Sequence, residues 1–146
     1  QLLAALRLCA NVTAQWAVLP ALQDAPTIGA LTTPGGRLHE ARRVVLEGVA
    51  ASDYLELVAP EGALYAFPQV RADRLASFDD EAFALRLLEE ESVLVVPGSS
   101  FNVPRSRHFR LTLLPPPAQL REVFVRIERV LARMAREQSP SAAAVA

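Results

Sequence analysis

Residues 108–136 have the sequence HFRLTLLPPPAQLREVFVRIERVLARMAR, and this stretch decides the fold class. Its first seven residues alternate, with Phe109 and Leu111 on one side and Arg110 on the other, as expected for a half-buried strand. After three prolines the apolar spacing changes to i, i+3, i+4 and i+7, which is typical of an amphipathic helix from residue 120 to about residue 136. The stretch therefore predicts a strand followed directly by a long helix.

The same change of period recurs toward the N-terminus and predicts further strands and helices. The predicted strands are residues 54–58, 63–68 and 92–96. The second predicted helix has Thr33 as its N-cap and Pro34 in its first turn and runs from Arg37 to about Val49, and a third begins at Ser77-Phe78-Asp79-Asp80. The resulting order, α-α-β-β-α-β-β-α, predicts an α+β fold in which helices cover one face of a small mixed or antiparallel sheet.

Residues 1–23 predict a leading helix that is apolar around its whole circumference. Such a helix must be covered on several sides, which one domain of this length could hardly provide. We therefore expect it to lie against protein outside this chain. The expected organisation is an interdomain helix and linker at 1–33, a small domain at 34–137 and a flexible tail at 138–146.

The composition argues against several classes of function. Fifteen basic and sixteen acidic side chains leave a formal charge of −1, so we expect neither nucleic-acid binding nor attachment to an anionic membrane. No run approaches the roughly 20 apolar residues that a membrane span requires. All the basic residues are arginine, and the absence of lysine excludes a Schiff-base lysine within these residues.

The remaining residues offer little catalytic or metal-binding chemistry. The single cysteine, Cys9, excludes an internal disulfide and favours a reduced, cytoplasmic location. With His39 and His108 it provides too few ligands for a structural zinc site, so no metal is expected. We interpret Glu89-Glu90-Glu91 as solvated helix surface, because consecutive helical residues spread around the axis.

Arg110 is the residue whose chemistry most needs an explanation. An arginine between Phe109 and Leu111 in an apolar strand is costly unless its guanidinium reaches water or an anion. Its fork of N–H donors matches a carboxylate through two parallel hydrogen bonds. Two interpretations stay open from the pattern alone, an edge-strand arginine in water and an arginine that binds an anion. His108 shares its predicted strand face, and its role is not defined by the sequence.

Five segments, taken in order, resemble a known family. They are RLCANV at 7–12, GGRL at 35–38, PEGALYAFP at 60–68, PG followed by FN at 97–102, and HFR at 108–110. In this order and spacing they resemble the C-terminal part of class I/II, fold-type I pyridoxal-phosphate aminotransferases, and within them the alanine aminotransferase-like branch. The resemblance runs from about residue 6 to residue 136.

The resemblance implies a specific role for the chain. It implies the small domain of an enzyme that transfers an amino group between an amino acid and a 2-oxo acid, with Arg110 binding the substrate α-carboxylate. Phe101 and Asn102 would lie in the adjoining loop that closes over the site. Pyridoxal 5'-phosphate, its lysine and its other binding residues would belong to a large domain outside this chain, so the chain alone should be inactive and bind no cofactor.

The resemblance also implies partners and leaves alternatives. A homodimer is expected, with the segment around Asn11 near the dimer interface, while the role of Arg7 stays open. One alternative is a non-catalytic, effector-sensing domain of a transcription regulator. Another is a pyridoxal-phosphate-dependent lyase of the same fold.

Overall fold

The computed structural model describes residues 11–103 and 106–138. Within these ranges the helices are α1 (Val12–Gln23), α2 (Ala25–Thr32), α3 (Arg37–Ala51), α4 (Asp80–Glu91) and α5 (Pro117–Gln138). The strands are β1 (Leu55–Glu56), β2 (Tyr65–Ala66), β3 (Gln69–Val70), β4 (Val96–Pro97) and β5 (Phe109–Thr112), and a 3-10 turn covers Gly98–Phe101. Arg7, Cys9, the first ten residues of the predicted leading helix and residues 139–146 of the predicted tail lie outside the described residues.

Strand β5 lies at the centre of a three-stranded antiparallel sheet with the strand order β2-β5-β4. Ala66 pairs with Leu111 on one side, and Val96 pairs with Arg110 on the other. Strands β1 and β3 form a separate antiparallel pair, which an isolated bridge between Gln69 and His108 connects to the start of β5. The α+β fold is confirmed, and the strand pairs are antiparallel.

The core lies between the sheet and the helices, on the side of β5 that carries Phe109 and Leu111. Phe109 is fully buried, and its ring centroid lies 5.2 Å from that of Phe83 on helix α4. Helix α5 contributes the apolar face that its spacing predicts, and the following residues of it are buried: Leu120, Phe124, Ile127, Val130, Leu131 and Met134. The predicted alternation of β5 is confirmed, because Arg110 and Thr112 are only partly buried.

The predicted element order is incomplete, and the predicted N-cap Thr33 is wrong, whereas the predicted helix from Arg37 is confirmed. Asp24 ends helix α1, but its side chain accepts a hydrogen bond from Thr27 N–H and so caps the additional helix α2. Thr33 does not begin the next helix. Its N–H and its hydroxyl both donate to the Gly29 carbonyl, which ends α2, and helix α3 begins after Gly36. Strand β3 is also additional to the prediction, and Gln138 belongs to helix α5 rather than to the tail.

Helices α1 and α2 contain no buried residue. Large apolar side chains of α1 are exposed, including Trp16 at 81% and Leu22 at 72%. Among the described residues, no other part of the chain buries the apolar side chains of this segment, although a helix of this composition is usually packed against other protein. No helix in residues 11–103 and 106–138 is long and apolar enough to span a membrane.

Candidate functional site

Arg110 is placed by the pleat of strand β5. Because side chains alternate along a strand, Phe109 and Leu111 point into the core, and Arg110 lies on the opposite face of the sheet. The two neighbouring strands pair with β5 on both sides, so its backbone position is fixed. Arg110 is therefore a central-strand arginine, half-buried on the face away from the helical core.

The guanidinium of Arg110 lies between two aromatic rings. It is 4.3 Å from the ring centroid of Tyr65 on β2 and 4.8 Å from that of Phe101 at the end of the 3-10 turn. Among residues 11–103 and 106–138 it has no hydrogen bond or ion pair. Rings accept no conventional hydrogen bonds, so these contacts leave the N–H donors of the guanidinium available. These donors suit a planar anion such as a carboxylate.

The rings and Arg110 line a cleft of about 460 Å³. Its other walls are apolar, and they are formed by Val58, Ala59, Pro60, Ala66 and Phe67. A cleft with apolar walls and one cation orients a ligand that carries a carboxylate and a small apolar part. Arg110 is the only ionisable cation that lines it among the described residues.

The two loop residues predicted beside Arg110 lie at different positions. Phe101 contacts Arg110 and also meets the ring of Phe67 edge-on, with centroids 5.7 Å apart. Asn102 is exposed at the end of the same turn, in the left-handed conformation with φ 59°, and its N–H donates to the Ser99 carbonyl. The structure thus brings Phe101 to the site, whereas Asn102 is not among the residues that line the cleft.

His108 borders a second, adjoining cleft of about 340 Å³. Its ring stacks on Phe67 with centroids 4.9 Å apart, so Phe67 is a wall shared by the two clefts. The buried Nδ1 atom of His108 has no hydrogen-bond partner in the part of the chain that the structure describes. His108 therefore neighbours the cleft of Arg110 without lining it.

Arg107 makes the opposite set of contacts. Its guanidinium donates hydrogen bonds to the main-chain carbonyls of the 70–76 segment, namely those of Val70, Arg71, Leu75 and Ala76. It also lies over the ring of Phe78 at 5.5 Å. Arg107 therefore fixes the backbone of that segment.

The interpretation of Glu89–Glu91 as solvated surface is wrong for Glu91. Glu91 is buried and accepts hydrogen bonds from Arg129, at 2.6 Å, and from Arg133, both on helix α5. Burial acts to raise the pKa of Glu91, but the hydrogen bond from Arg133 and the charges of Arg129 and Arg133 outweigh it and hold that pKa below its usual value. Among the described residues no group of three potential ligands is placed to bind a metal ion.

Sequence reasoning missed Tyr65 as part of the site. It lies in a predicted strand, and at 45% exposure its large aromatic side chain is unusually open for that position. The available signal was an aromatic residue that alternates with the buried Ala66 and so faces away from the core. Register with β5 then brings it beside Arg110, since Tyr65 pairs with Thr112.

Comparison with known proteins gives consistent matches over most of the chain. A family model described as "Aminotransferase class I and II" matches residues 4–127. Glutamate-pyruvate aminotransferase AlaA of Escherichia coli is 44% identical over 115 residues, which is 79% of this chain and 28% of that protein. Alanine aminotransferase of Mycobacterium tuberculosis is 41% identical over 129 residues, or 88% of this chain and 29% of that protein.

Solved structures agree with the sequence matches. The crystal structure of an aminotransferase from Escherichia coli covers 90% of this chain with a TM-score of 0.78 and 40% sequence identity. This chain covers 32% of that structure. The chain therefore spans about a third or less of the length of the proteins that it matches here.

Proposed function

The chain belongs to the class I and II aminotransferase family, and we propose that Arg110 binds the α-carboxylate of the amino-acid substrate in such an enzyme. The reaction is the transfer of an amino group between an amino acid and a 2-oxo acid. The observation that carries the proposal is the guanidinium of Arg110, which faces an apolar cleft with only aromatic side chains as partners among the described residues.

The geometry of the site supports this role. An arginine already paired with a carboxylate would be neutralised, whereas Arg110 has no such partner in residues 11–103 and 106–138. Two parallel hydrogen bonds from its fork would fix the direction of a bound carboxylate, which a lysine ammonium cannot do. The apolar walls would then receive the rest of a small substrate.

Pyridoxal phosphate is the cofactor of this family, and the residues of this chain do not fit it. The sequence contains no lysine for a covalent link, and the cleft of Arg110 has apolar walls rather than a set of phosphate-binding donors. We therefore propose that the cofactor is held by protein outside this chain. Arg110 acts on the substrate alone, by orienting it.

The free energy that Arg110 alone can contribute to substrate binding is too small for an active chain. One charge-assisted contact to a carboxylate contributes about 1.5–3 kcal/mol, whereas millimolar affinity requires about 4 kcal/mol. The substrate therefore needs contacts from elsewhere.

The organisation that goes with this role is a linker helix, a small domain and a missing large domain. We propose that residues 1–33 join the large domain to the small domain at 34–137, and that the complete enzyme is a homodimer. The exposed apolar side chains of α1, such as Trp16, support a covering partner for this segment.

The test uses the full-length protein that contains this chain, supplied with pyridoxal phosphate, L-alanine and 2-oxoglutarate. We expect pyruvate and glutamate as products. Arg110→Lys should lower kcat/KM for the amino acid about 10- to 100-fold, because it keeps the charge and removes the fork. Cofactor binding, followed by its absorbance, should not change.

Arg121→Lys is the matched control, since Arg121 is exposed on helix α5 away from the site. The same exchange of arginine for lysine should leave kcat/KM unchanged there. Equal loss of substrate use and cofactor binding in Arg110→Lys would contradict the assigned role. Release of a cleaved side chain instead of a 2-oxo acid would favour the lyase alternative, and absence of any turnover would favour an effector-sensing domain.

A further inference from the structure

Asp80, at the start of helix α4, has a buried carboxylate that reaches away from its own helix. It is 6% exposed, and its Oδ2 atom accepts a hydrogen bond from the Ser99 N–H at 2.7 Å. The helix cap is provided by its neighbour, since Asp79 Oδ1 accepts from the Ala82 N–H at 2.8 Å. The two adjacent aspartates therefore bind different parts of the chain. Asp79 caps its own helix, and Asp80 binds Ser99 in another segment.

The segment that Asp80 holds is the 3-10 turn Gly98–Phe101. On its other side the Gly98 N–H donates to the His108 carbonyl at 2.9 Å, which anchors the turn to the strand that carries Arg110. The Ser99 hydroxyl adds a weaker contact to Glu81 at 3.2 Å. The turn is therefore tethered both to helix α4 and to the start of β5.

Phe101 depends on this tether for its position. It is 40% exposed, so burial in the core does not fix its ring, yet the ring lies over the Arg110 guanidinium. Only one residue separates it from Ser99, whose N–H is bound by Asp80. A shift of the turn would therefore move the ring relative to the guanidinium.

We infer that Asp80 is a positioning residue for substrate binding, acting through the Ser99 N–H to hold Phe101 against Arg110. The inference rests on the proposed role of Arg110 in carboxylate binding. A charged acceptor gives a shorter and stronger hydrogen bond than a neutral one, so the carboxylate holds the turn more firmly than an amide would. Asp80 touches no substrate in this arrangement.

The experiment measures steady-state kinetics of the full-length protein. Asp80→Ala should raise KM for the amino acid about 10-fold with kcat within about twofold of the parent, because it weakens binding and leaves the reacting groups in place. Asp80→Asn keeps an oxygen that can accept from Ser99, so its KM should lie between those of the parent and Asp80→Ala. Asp79→Ala is the matched control, since it removes the cap of the same helix and should leave KM unchanged.

A double variant separates positioning from a general loss of structure. In a Phe101→Leu background, Asp80→Ala should raise KM no further, because the ring that Asp80 positions is already absent. An additional rise there, or an equal rise in Asp79→Ala, would overturn the inference. If Asp80→Ala does not fold, Asp80→Asn is compared with Asp79→Asn instead. The inference then requires that KM rise about two- to threefold in Asp80→Asn and stay unchanged in Asp79→Asn.

Arg110→Lys in the same series distinguishes the two proposals. If Arg110→Lys raises KM and Asp80→Ala does not, the positioning role fails and carboxylate binding stands. If Arg110→Lys leaves KM unchanged, the proposed function fails, and the inference about Asp80 fails with it.

Discussion

Arg107 lies two residues before strand β5 and Arg110 lies within it, and their surroundings are opposite. The guanidinium of Arg107 donates to four main-chain carbonyls of the 70–76 segment. The guanidinium of Arg110 contacts only the rings of Tyr65 and Phe101 among the described residues. The same side chain thus serves the fold at one position and is free for a ligand at the other.

The difference comes from what each guanidinium can reach. Arg107 is bonded to Val70 through backbone and side chain together, since the Val70 N–H donates to the Arg107 carbonyl while Arg107 Nε donates to the Val70 carbonyl. Arg110 lies in the middle of a paired strand, where neighbouring carbonyls already bond to N–H groups of the sheet. An arginine with unused donors beside apolar walls is therefore a better indicator of a binding site than an arginine with a full set of acceptors.

The largest expected effect is on the stability of the protein, which the two arginines should influence to different degrees. Arg107→Ala should lower the free energy of unfolding by about 2–4 kcal/mol, because it leaves several carbonyls without their donor. Arg110→Ala should change it by less than about 1 kcal/mol, since only contacts with exposed rings are lost. Urea unfolding followed by circular dichroism measures both, and equal losses would remove the distinction.

A second substitution acts on the turn that borders the site of Arg110. In Gly98→Ala the new Cβ would lie 2.0 Å from Ser106 Oγ and 2.9 Å from the His108 carbonyl oxygen, so either the turn that carries Phe101 or the 106–108 segment must shift. The expected loss of stability is about 1–3 kcal/mol, accompanied by a higher KM for the amino acid.

Gly62→Ala is the control for this substitution, because nothing lies within 4 Å of its added Cβ. Its stability should change by less than about 1 kcal/mol, and in the stabilising direction if at all. A similar loss in both variants would show that the close approach at Gly98 is not the cause.

A smaller effect tests the aromatic contact of Arg110 itself. Tyr65→Leu removes the ring that lies 4.3 Å from the guanidinium, whereas Tyr65→Phe keeps the ring and removes only the hydroxyl. A cation–π contact at a partly exposed site contributes about 0.5–1 kcal/mol, so Tyr65→Leu should raise KM about two- to fivefold. Tyr65→Phe should remain near the parent value, and a rise in both would assign the effect to the hydroxyl.

The smallest expected effect is on the pH dependence of stability. It contrasts Arg110 with Arg129 and Arg133, which bind the carboxylate of Glu91. The pKa of Glu91 is lowered in the folded protein, so its contribution to stability is complete above the usual glutamate range and is lost as pH falls through the lowered value. Glu91→Gln should therefore flatten the decline of stability as pH falls below the usual glutamate range. Arg110→Gln should leave that decline unchanged, since no carboxylate among the described residues pairs with Arg110.

Elements with a long, regular apolar period are the ones that the sequence predicts well. Helix α5 runs over residues 117–138 where the spacing predicts 120–136, and β5 carries the predicted alternation. The additional elements are short. Strand β3 has two residues and no period of its own, because its pairing with β1 is decided by tertiary contact. Thr33 is compatible with either end of a helix, and the carbonyl of Gly29 takes its donors.

In the candidate site, too, local patterns predict some residues and tertiary contacts decide the others. The family resemblance predicted Arg110 and Phe101 as neighbours, whereas the strand pattern alone left the role of Arg110 open. Tyr65 and Asp80 were not predicted, because their contacts join residues 45 and 19 positions apart in the sequence. Such contacts are set by strand register and by the packing of helix α4, and no local pattern records them.

The two sides of strand β5 have a consequence for how such a protein can change over time. Core packing constrains the side with Phe109, whereas the side with Arg110 faces a cleft that Tyr65 and Phe101 border. Under the proposed role of Arg110, substitutions that change the bound substrate can therefore accumulate on one side without compensating mutations on the other. On that proposal, natural selection or a protein engineer can change residues on one side of a short strand to alter specificity, while the core on the other side stays the same.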